Sequence, residues 1–540
     1  MKKVKRFKDP IYGYISIKES VISNIVDTAG FQRLRNVIQT SYSPLYSSAV
    51  HNRFVHSLGV YHLGCIVSKS IDSNKSEYTD AGEIDRILEI FKTACLLHDL
   101  GHAPFSHTGE EYYLENGKRD FLHNAVIELT KDTDLEEEIK SKNYKAAPHE
   151  LMSVIVALKD YDFLFQNDAE KSFFARCILG YSYVKRPGKR YSFLNGMISL
   201  LNSSVIDVDK LDYLIRDAYI TGFDTVSIDY ERLLQSIRFR KEGDTYQIVY
   251  TKDAISVIEN VVYAHDAERK WIQNHPIVQY EAYLLQSAMG ILRDKYEQVN
   301  LFSYEALTEK GIKISEDYRV SLLCDADITF LIKNIDCDFV REYFQRKNRR
   351  HPLWKSEAEY KAIFGTGYTN DVFEIVEDGL DALCKYLNFV RRSQEINNDA
   401  LLACKKDIEN VQILCTKEVM KKENIEAMIA EKRKHLRWME ALKAFAEEQK
   451  IAFDFIILKA SQFNSGFAKE AFAKIQIEFN TLLRPCYFEK VTNTLKAEKS
   501  SREKYFYLFY RRTDKEIKVD LRRLAVWLGN IAMEEAFKKN

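Results

Sequence analysis

The stretch from His98 to His107 carries three imidazoles and a carboxylate that could bind a metal ion. His98 and Asp99 are adjacent and can offer a nitrogen and an oxygen donor to one cation. Leucines on both sides of this pair predict a buried helix face, so that His98 and His102, four residues apart, share the opposite face and point into one cavity. A glycine and a proline within the stretch indicate that the helix ends there, which would free His107 to fold back over the site.

Histidines are concentrated around this stretch. Eight of the twelve histidines lie between residues 51 and 149, where an even distribution would place about two. Two of them, His56 and His62, fall on the apolar face of a helix predicted from Asn52 to about Ser70. A single histidine on such a face is commonly a core residue, but the concentration favours a functional site.

A third segment, from Val205 to Asp217, places charges among apolar residues at positions 207, 209, 210, 212, 216 and 217. Burying such charges is costly without a purpose, whereas an exposed amphipathic helix with i,i+4 ion pairs would account for them equally well. If they are buried, Asp209 can join the histidine-rich segments in a ligand set of His56, His98, Asp99 and Asp209. Nitrogen and oxygen donors without a thiolate suit Fe, Mn, Zn, Ni or Mg, and open coordination positions would accept water and a phosphate oxygen. This is the chemistry that hydrolysis of a phosphoester requires.

Composition limits the class of protein. The 540 residues allow two or three domains, and the 79 basic and 79 acidic residues cancel, which makes nucleic acid an unexpected partner. The nine cysteines form no C-x-x-C pair and indicate reduced structural thiols. The basic start is followed by Asp9-Pro10 rather than an apolar core, and no apolar run reaches the roughly 18 residues of a membrane span. We therefore expect a soluble cytoplasmic protein that does not span a membrane.

The chain is predicted to be mainly α-helical. Alternating residues after Asp9-Pro10 predict a short N-terminal hairpin, and a second hairpin is expected around Gly243-Asp244. Residues 380–465 contain neither glycine nor proline and predict long charged helices, whereas strand-like segments follow residue 451. We expect a catalytic core at residues 1–375 that includes the N-terminal hairpin, a long helical segment at 376–450 and a small α+β lobe at 451–540.

Two charged segments have more than one interpretation. The acidic run from Asp132 to Glu138 predicts a loop on a solvated face. A basic cluster between Arg341 and Lys355 is interleaved with aromatic residues. It would suit phosphate binding, but a solvated face accounts for it as well.

Several segments resemble the motifs of the HD-domain phosphohydrolases. The resemblance is greatest to the deoxynucleoside triphosphate triphosphohydrolases that include the SAM-and-HD-domain enzyme, and no segment here resembles a SAM domain. It covers residues 9 to about 290 and implies an HD-domain helical core, with only a general similarity beyond. The segments that carry it are Asn52-Arg53-Phe54-Val55-His56, His98-Asp99-Leu100-Gly101-His102 continuing to His107, His149-Glu150, and Ile206-Asp207-Val208-Asp209-Lys210 continuing to Tyr213.

The resemblance implies a hydrolytic site with a divalent metal ion. The ion would be held by His56, His98, Asp99 and Asp209. A water molecule beside it would attack the α-phosphorus of a bound dNTP, so that triphosphate and a deoxynucleoside leave. His107 would act as the general acid for the leaving 5′ oxygen, supported by Glu110 three residues later. The residues implied to bind the phosphates are His102, His149, Arg53 and Lys210.

The resemblance also implies contacts with the sugar and with an effector. Tyr213 and Asp217 match positions that hold the sugar, and Gln39 matches one that senses the 3′ hydroxyl. The segment from Gln39 to Pro44 departs from the family pattern, in which Gln-Leu is followed by glycines. Relatives of this kind are often dimers or tetramers, so a homo-oligomer is expected. The positions that match a guanine nucleotide effector site, and that would otherwise serve only to pack the fold, are Asp27, Gln32 and Arg35.

Three functions stay open from the sequence. The first is a metal-dependent dNTP triphosphohydrolase. The second is an HD phosphohydrolase with another substrate, such as a nucleotide monophosphate, a cyclic nucleotide or a nucleic acid, which the lack of an assigned arginine for the γ-phosphate would favour. The third is a non-catalytic nucleotide-sensing module, against which the intact ligand set and His107 argue.

Overall fold

The fold is mainly helical, as predicted, and its strands form small sheets. The computed structural model describes residues 3–40, 44–81, 83–114, 119–140, 146–223, 227–365, 370–389, 396–416, 422–460, 471–495, 505–512 and 519–539. Within these residues, no helix combines the length and the apolar character needed to cross a membrane.

The α-helices of six or more residues are numbered in chain order. They are α1 (Arg53–Ser73), α2 (Ile84–Leu97), α3 (Asp120–Thr130), α4 (Thr133–Lys140), α5 (Pro148–Asp160), α6 (Asp168–Leu179), α7 (Lys189–Leu201), α8 (Val208–Thr221), α9 (Tyr230–Gln235), α10 (Ile255–Ala267), α11 (Pro276–Lys295), α12 (Asp325–Lys333), α13 (Asp338–Phe344), α14 (Asn370–Phe389), α15 (Ile396–Thr416), α16 (Lys422–Glu448) and α17 (Leu521–Lys539). The strands are β1 (Val4–Asp9), β2 (Gly13–Lys18), β3 (Ile237–Glu242), β4 (Thr245–Thr251), β5 (Ile312–Lys313), β6 (Arg319–Val320), β7 (Arg350–Pro352), β8 (Phe455–Ala460), β9 (Gln476–Glu478), β10 (Cys486–Tyr487) and β11 (Tyr505–Arg511). Short helical segments near the site are Ala29–Gln32, Arg33–Asn36, Ser106–Thr108 and Glu110–Tyr113.

The chain forms two compact units, each assembled from separate segments. The first comprises Met1–Glu268, Leu292–Ile332 and Asn464–Lys499. The second comprises Arg269–Ile291, Lys333–Phe463 and Ser500–Asn540. The division of the chain at residues 375 and 450 stays a prediction.

The first unit is built around α1, which packs against α2 and α8. Asn52 caps α1, because its side-chain oxygen accepts a hydrogen bond from the N–H of Val55 at 3.2 Å. The predicted N-terminal hairpin is present as β1 and β2, and Asp9 fixes its turn by accepting hydrogen bonds from the N–H groups of Ile11 and Tyr12. The second predicted hairpin is formed by β3 and β4, and β4 also pairs in parallel with β9.

The second unit contains the long helices expected from the sequence. Helices α15 and α16 pack against each other, and α14 packs against α17 and β8. Strand β11 pairs antiparallel with β7 on one side and β8 on the other. Trp438 of α16 is buried against Gly379 of α14, where an added Cβ would lie 2.3 Å from the indole. The close approach of these two helices therefore depends on a glycine.

The basic cluster noted in the sequence lies in the second unit and is engaged in internal ion pairs. Arg350 is buried and contacts Glu342 at 2.5 Å and Asp454 at 2.6 Å. Arg349 contacts Glu281. Arg349 and Arg350 are thus neutralised by carboxylates of the same unit, whereas Arg346, Lys347, His351 and Lys355 are exposed, as the solvated-face interpretation expects.

Candidate metal centre and active site

Three helices of the first unit bring the candidate metal ligands together. His56 lies in the first turn of α1, and His98 and Asp99 directly follow the end of α2. Asp209 lies in the first turn of α8, whose N-terminus is capped by Asp207 through a 2.7 Å hydrogen bond to a backbone N–H. The predicted charged helix is thus present, and its first turn faces the metal site.

Ligand atoms of His56, His98 and Asp99 lie within 4.8 Å of one another, and Asp209 lies beside the two histidines. His56 Nε2 lies 2.9 Å from Asp209 Oδ1, 3.2 Å from His98 Nε2 and 3.5 Å from Asp99 Oδ2. His98 Nε2 lies 3.3 Å from Asp99 Oδ1 and 3.4 Å from Asp209 Oδ1. Because nitrogen and carboxylate ligands sit about 2.0–2.2 Å from a metal such as zinc, neighbouring ligands at right angles are about 3 Å apart. The residues present therefore fit a divalent metal ion.

The charges at this point also favour a cation. Burial alone would lower the pKa of His56, but its contacts with Asp209 and Asp212 outweigh burial and raise the pKa to about 10. Burial would raise the pKa of Asp209, but its contacts with His56 and His98 hold it well below its usual range. The shifts describe a protonated His56 beside an ionised Asp209, and a metal ion would take the place of the proton between them.

A buried network orients His56 from behind. Asp212 Oδ2 lies 2.7 Å from His56 Nδ1. Arg216 and the hydroxyl of Tyr12 both donate hydrogen bonds to the same carboxylate, at 2.9–3.0 Å and 2.7 Å. Arg216 also donates to Asp9 at 3.0 Å, which ties the N-terminal hairpin to the metal ligand. Such outer contacts fix the tautomer and the orientation of a ligating histidine.

His98 and His102 do not share a helix face, contrary to the prediction from their spacing. Helix α2 ends one residue before His98, and the next residues form a turn closed by backbone hydrogen bonds. The turn lies so close to α5 that a Cβ on Gly101 would sit 2.2 Å from the backbone nitrogen of Ser153. It brings His102 Nε2 to 3.1 Å from Asp99 Oδ1, so the two histidines still meet at one site.

A second cluster adjoins the metal ligands through His102. Its members, His102, His107, Glu110 and His149, have ligand atoms within 4.8 Å of one another. Glu110 is central, with one oxygen 2.6 Å from His107 Nδ1 and the other 2.8 Å from His149 Nδ1. The ring of His149 stacks on that of His102 at 4.0 Å. His107 is the exposed member, with 71% of its side chain accessible.

The buried members of this cluster differ in protonation. Burial would lower the pKa of His149, but Glu110 outweighs burial and raises the pKa to about 9. Burial would raise the pKa of Glu110, but His149 and His107 hold it well below its usual range. Burial and the charges of Arg53 and His149 hold the pKa of His102 well below its usual range. At neutral pH the cluster therefore contains a carboxylate, an imidazolium at His149 and a neutral ring at His102.

The two other cations predicted to bind phosphate already have protein partners. Arg53 is buried and donates to Asp99 at 2.8 Å and to the hydroxyl of Ser106 at 2.9 Å. Lys210 donates to the carboxylate of Asp207 at 2.7 Å. Arg53 thus connects Asp99, a predicted metal ligand, to Ser106 in the segment that carries His107. Its contact with phosphate, which the family resemblance implies, stays a prediction.

The residues predicted to contact the sugar lie along α8 and beside its end. Asp209, Tyr213 and Asp217 are spaced by four residues and form one stripe on the helix. Asp217 is buried, and its Oδ1 lies 2.7 Å from His51 Nε2, a partner that was not predicted. Gln39 is buried as well. Residues 41–43 of the segment that departs from the family pattern lie outside the described residues.

The predicted effector residues make local contacts before α1. The guanidinium of Arg35 lies 3.5 Å from the ring centroid of Phe54, and its Nε donates to Gln32 Oε1 at 2.7 Å. Asp27 forms a surface ion pair with Lys5 at 3.6 Å. Gln32 and Arg35 thus contribute to local packing, whereas Asp27 is exposed, and effector binding by Asp27, Gln32 and Arg35 stays a prediction.

Asp325 is a second residue of the site that was not predicted. Its carboxylate accepts hydrogen bonds from the N–H of Ile38 at 2.8 Å and from the N–H of Phe105 at 2.7 Å. Phe105 has a left-handed backbone with φ of 58°. Asp325 therefore ties the segment before Gln39 to the loop that carries His107. Burial raises the pKa of this carboxyl to about 6.

Comparison with known families agrees with this geometry. Residues 53–159 match the family model of the HD domain. The match begins at the first residue of α1 and ends in α5, so it contains His56, His98, Asp99 and the whole second cluster. This part of the chain therefore matches the HD domain, which confirms the resemblance seen in its motifs.

Individual relatives extend the similarity beyond the HD domain. The uncharacterized protein YwfO of Bacillus subtilis is 26% identical over 302 residues, which cover 56% of this chain and 58% of YwfO. The deoxynucleoside triphosphate triphosphohydrolase SAMHD1 homolog of Dictyostelium discoideum is 29% identical over 277 residues, 51% of this chain and 47% of that protein. A crystal structure of a hypothetical protein from Aquifex aeolicus aligns with 98% of this chain and 100% of its own, with a TM-score of 0.52 and 17% identity. The chain thus spans about half the length of these two sequence relatives, and the structural match shows a similar fold.

Proposed function

We propose that the protein is a metal-dependent dNTP triphosphohydrolase, which converts a dNTP and water into a deoxynucleoside and triphosphate. The observation that carries the proposal is the cluster of His102, His107, Glu110 and His149 beside the predicted metal ligands, in which Glu110 lies 2.6 Å from His107 Nδ1. The similarity to a deoxynucleoside triphosphate triphosphohydrolase supports the choice of substrate.

The predicted metal ligands and the cluster around Glu110 would have different roles in the reaction. A divalent ion held by His56, His98, Asp99 and Asp209 would polarise a phosphoryl oxygen and lower the pKa of a coordinated water. His149, which Glu110 keeps protonated at neutral pH, would offer a positive charge to the phosphates of the substrate.

His107 is suited to the role of proton donor. Glu110 contacts its Nδ1, so that the other ring nitrogen, Nε2, can give a proton to the departing 5′ oxygen. The oxygen of water would join the α-phosphorus and release a proton to solvent, the bond from phosphorus to the 5′ oxygen would break, and the proton of His107 would go to that oxygen, after which solvent returns a proton to His107. The exposure of His107 would let the substrate reach it from solvent.

Further parts of the proposal concern the metal and the partners. The metal would be Mn, Fe, Mg, Zn or Ni, because no thiolate is among the donors. A nucleotide effector, assembly into a dimer or tetramer and a cytoplasmic location stay predictions.

Product analysis tests the proposal. Metal-loaded protein would be incubated with each of the four dNTPs, and the products separated by anion-exchange chromatography, with EDTA-treated protein as the control. We expect triphosphate and deoxynucleoside in equal amounts. Orthophosphate or a monophosphate as the only product would contradict the reaction and favour an HD phosphohydrolase with another substrate. A metal-loaded protein that binds nucleotides without turning them over would favour a sensing module.

A further inference from the structure

The backbone directly before His107 has an unfavourable conformation. Phe105 and Ser106 are both left-handed, with φ of 58° and 52°. Residues that carry a Cβ rarely adopt this conformation, and two in succession persist only where the surrounding contacts hold them. The direction in which His107 leaves this turn therefore depends on contacts that come from outside the turn.

Asp325, the first residue of α12, makes such a contact. Its Oδ1 accepts a hydrogen bond from the N–H of Phe105 at 2.7 Å, and its Oδ2 accepts one from the N–H of Ile38 at 2.8 Å. The hydroxyl of Ser106 donates to the carbonyl of the same Ile38. One carboxylate therefore fixes the strained turn relative to the segment at Ile38, and the turn itself makes a second bond to that segment.

Arg33 joins the chain before α12 to the beginning of the same turn. Its guanidinium is buried and donates to the carbonyl of Leu323 at 2.9 Å and to the carbonyls of Leu100 and His102 at 2.8 and 3.0 Å. The start of α12 is thus tied to the turn at two points, through Arg33 and through Asp325. All of these residues lie in the first unit.

We infer that Asp325 is a positioning residue of the hydrolytic reaction, which acts through the backbone of Phe105 to direct the ring of His107 towards the departing oxygen. The inference rests on the proposed function, in which His107 is the proton donor. Because 71% of its side chain is accessible, His107 is placed by Glu110 and by its own backbone rather than by burial. The hydrogen bond from Phe105 to Asp325 holds that backbone in its strained conformation.

Substrates with different leaving groups test the inference. A dNTP would release a 5′ alkoxide, which needs the proton of His107, whereas bis-p-nitrophenyl phosphate releases p-nitrophenolate, which is stable as an anion and needs no proton. In Asp325→Asn an NH2 group replaces one of the two acceptors. We expect kcat for the dNTP to fall about 100-fold, the loss caused by a misplacement of about 1 Å, and kcat for the aryl ester to change less than about threefold.

Two further variants serve as controls. His107→Ala should show the same selective loss for the dNTP, and the double variant with Asp325→Asn should lose no more than His107→Ala alone, because both changes affect the same proton transfer. Asp327→Asn removes an equal charge from the same helix, while its amide oxygen can still accept from the N–H of Cys324, as Asp327 does at 2.9 Å. This variant should keep the wild-type rate with both substrates.

The outcomes separate this inference from the proposed function. Equal losses for the two substrates in Asp325→Asn would overturn the positioning role while the hydrolase assignment stands. If Asp325→Asn does not fold, Asp325→Glu, which keeps a carboxylate but moves it by one methylene, is measured with the same expectation.

If the wild type cleaves no dNTP, the proposed function fails, and dTMP is compared with p-nitrophenyl phosphate, which have the same two leaving groups. A loss confined to dTMP would then support the positioning role although the substrate is refuted. Equal losses, or no turnover of dTMP by the wild type, would overturn it.

Discussion

Removing the charge of Glu110 should neutralise His149. Glu110 raises the pKa of His149 from an ordinary 6.5 to about 9, against the effect of burial. In Glu110→Gln burial prevails, so the pKa should fall to 6.5 or below, which corresponds to a loss of about 3 kcal/mol of interaction with the imidazolium. At neutral pH, His149 would change from a cation to a neutral ring, and the site would lose a positive charge next to the metal ligands.

The interaction between Glu110 and His149 also makes the free energy of unfolding depend on pH. A histidine whose pKa is raised in the folded state contributes stability that is fully present below pH 6.5 and is lost as the pH rises through about 9. This contribution should be absent from Glu110→Gln. The difference in thermal unfolding midpoint between wild type and variant should therefore be largest near pH 6.5 and shrink towards pH 9.

NMR titration of ¹³C-labelled histidine rings in metal-free protein would measure the pKa directly. His149→Gln assigns the resonance, and Glu111→Gln, which removes an equal charge one residue further on, is the matched control. Glu111→Gln should leave the pKa of His149 near 9. If Glu110→Gln left it there too, the carboxylate would not be what keeps His149 protonated, and the assignment of His149 as a phosphate-binding cation would fail.

The other predictions concern single residues of the site and its supports. Asp209→Ala should abolish turnover and lower the bound metal measured by mass spectrometry, because it removes an anionic donor 2.9 Å from His56 Nε2; full activity would exclude Asp209 as a ligand. His107→Ala should keep its metal but lose turnover, and a wild-type rate would remove His107 from the mechanism. Asp325→Asn should lower the free energy of unfolding by about 1–3 kcal/mol, because the two N–H groups bind different carboxylate oxygens and the NH2 group that replaces one of them cannot accept; an unchanged urea midpoint would argue against this role. Gly101→Ala should cost at least about 1–3 kcal/mol, since a Cβ would lie 2.2 Å from the backbone of Ser153, and an unaltered melting temperature would show that the turn can move away from α5.

The grouping of His56, His98 and Asp99 could be predicted because their residue types define their chemistry, and their role as metal ligands stays a prediction. Imidazole and carboxylate donors that occur together near the ends of apolar helices have few roles besides metal binding and acid–base catalysis. The N-terminal hairpin and the long C-terminal helices were also predictable, since a turn residue such as Asp9 and the lack of glycine and proline act locally.

Contacts between distant segments could not be predicted. Asp325 is 220 residues from Phe105, and Asp217 is 166 residues from His51, so neither pair leaves a pattern in a single sequence. The spacing of four residues between His98 and His102 fits both a helix and a turn. The structure has a turn there, in which Gly101 lies against the backbone of α5.

The acidic run after Asp132 was wrongly predicted to be a loop. Most of it forms α4, with Leu135 and Ile139 buried four residues apart. Asp132 accepts hydrogen bonds from the N–H groups of Asp134 and Leu135, and it contacts the buried Arg176 at 3.1 Å. The high charge of the run favoured a loop, whereas Leu135 and Ile139, four residues apart, indicate a short amphipathic helix.

Hydrolysis in ¹⁸O-labelled water tests the central claim most directly. If water attacks the α-phosphorus and the bond to the 5′ oxygen breaks, mass spectrometry of the products should find one ¹⁸O in triphosphate and none in the deoxynucleoside. The signal should depend on metal and disappear in Asp209→Ala. Label in the deoxynucleoside, or labelled orthophosphate or pyrophosphate in place of labelled triphosphate, would contradict the assignment.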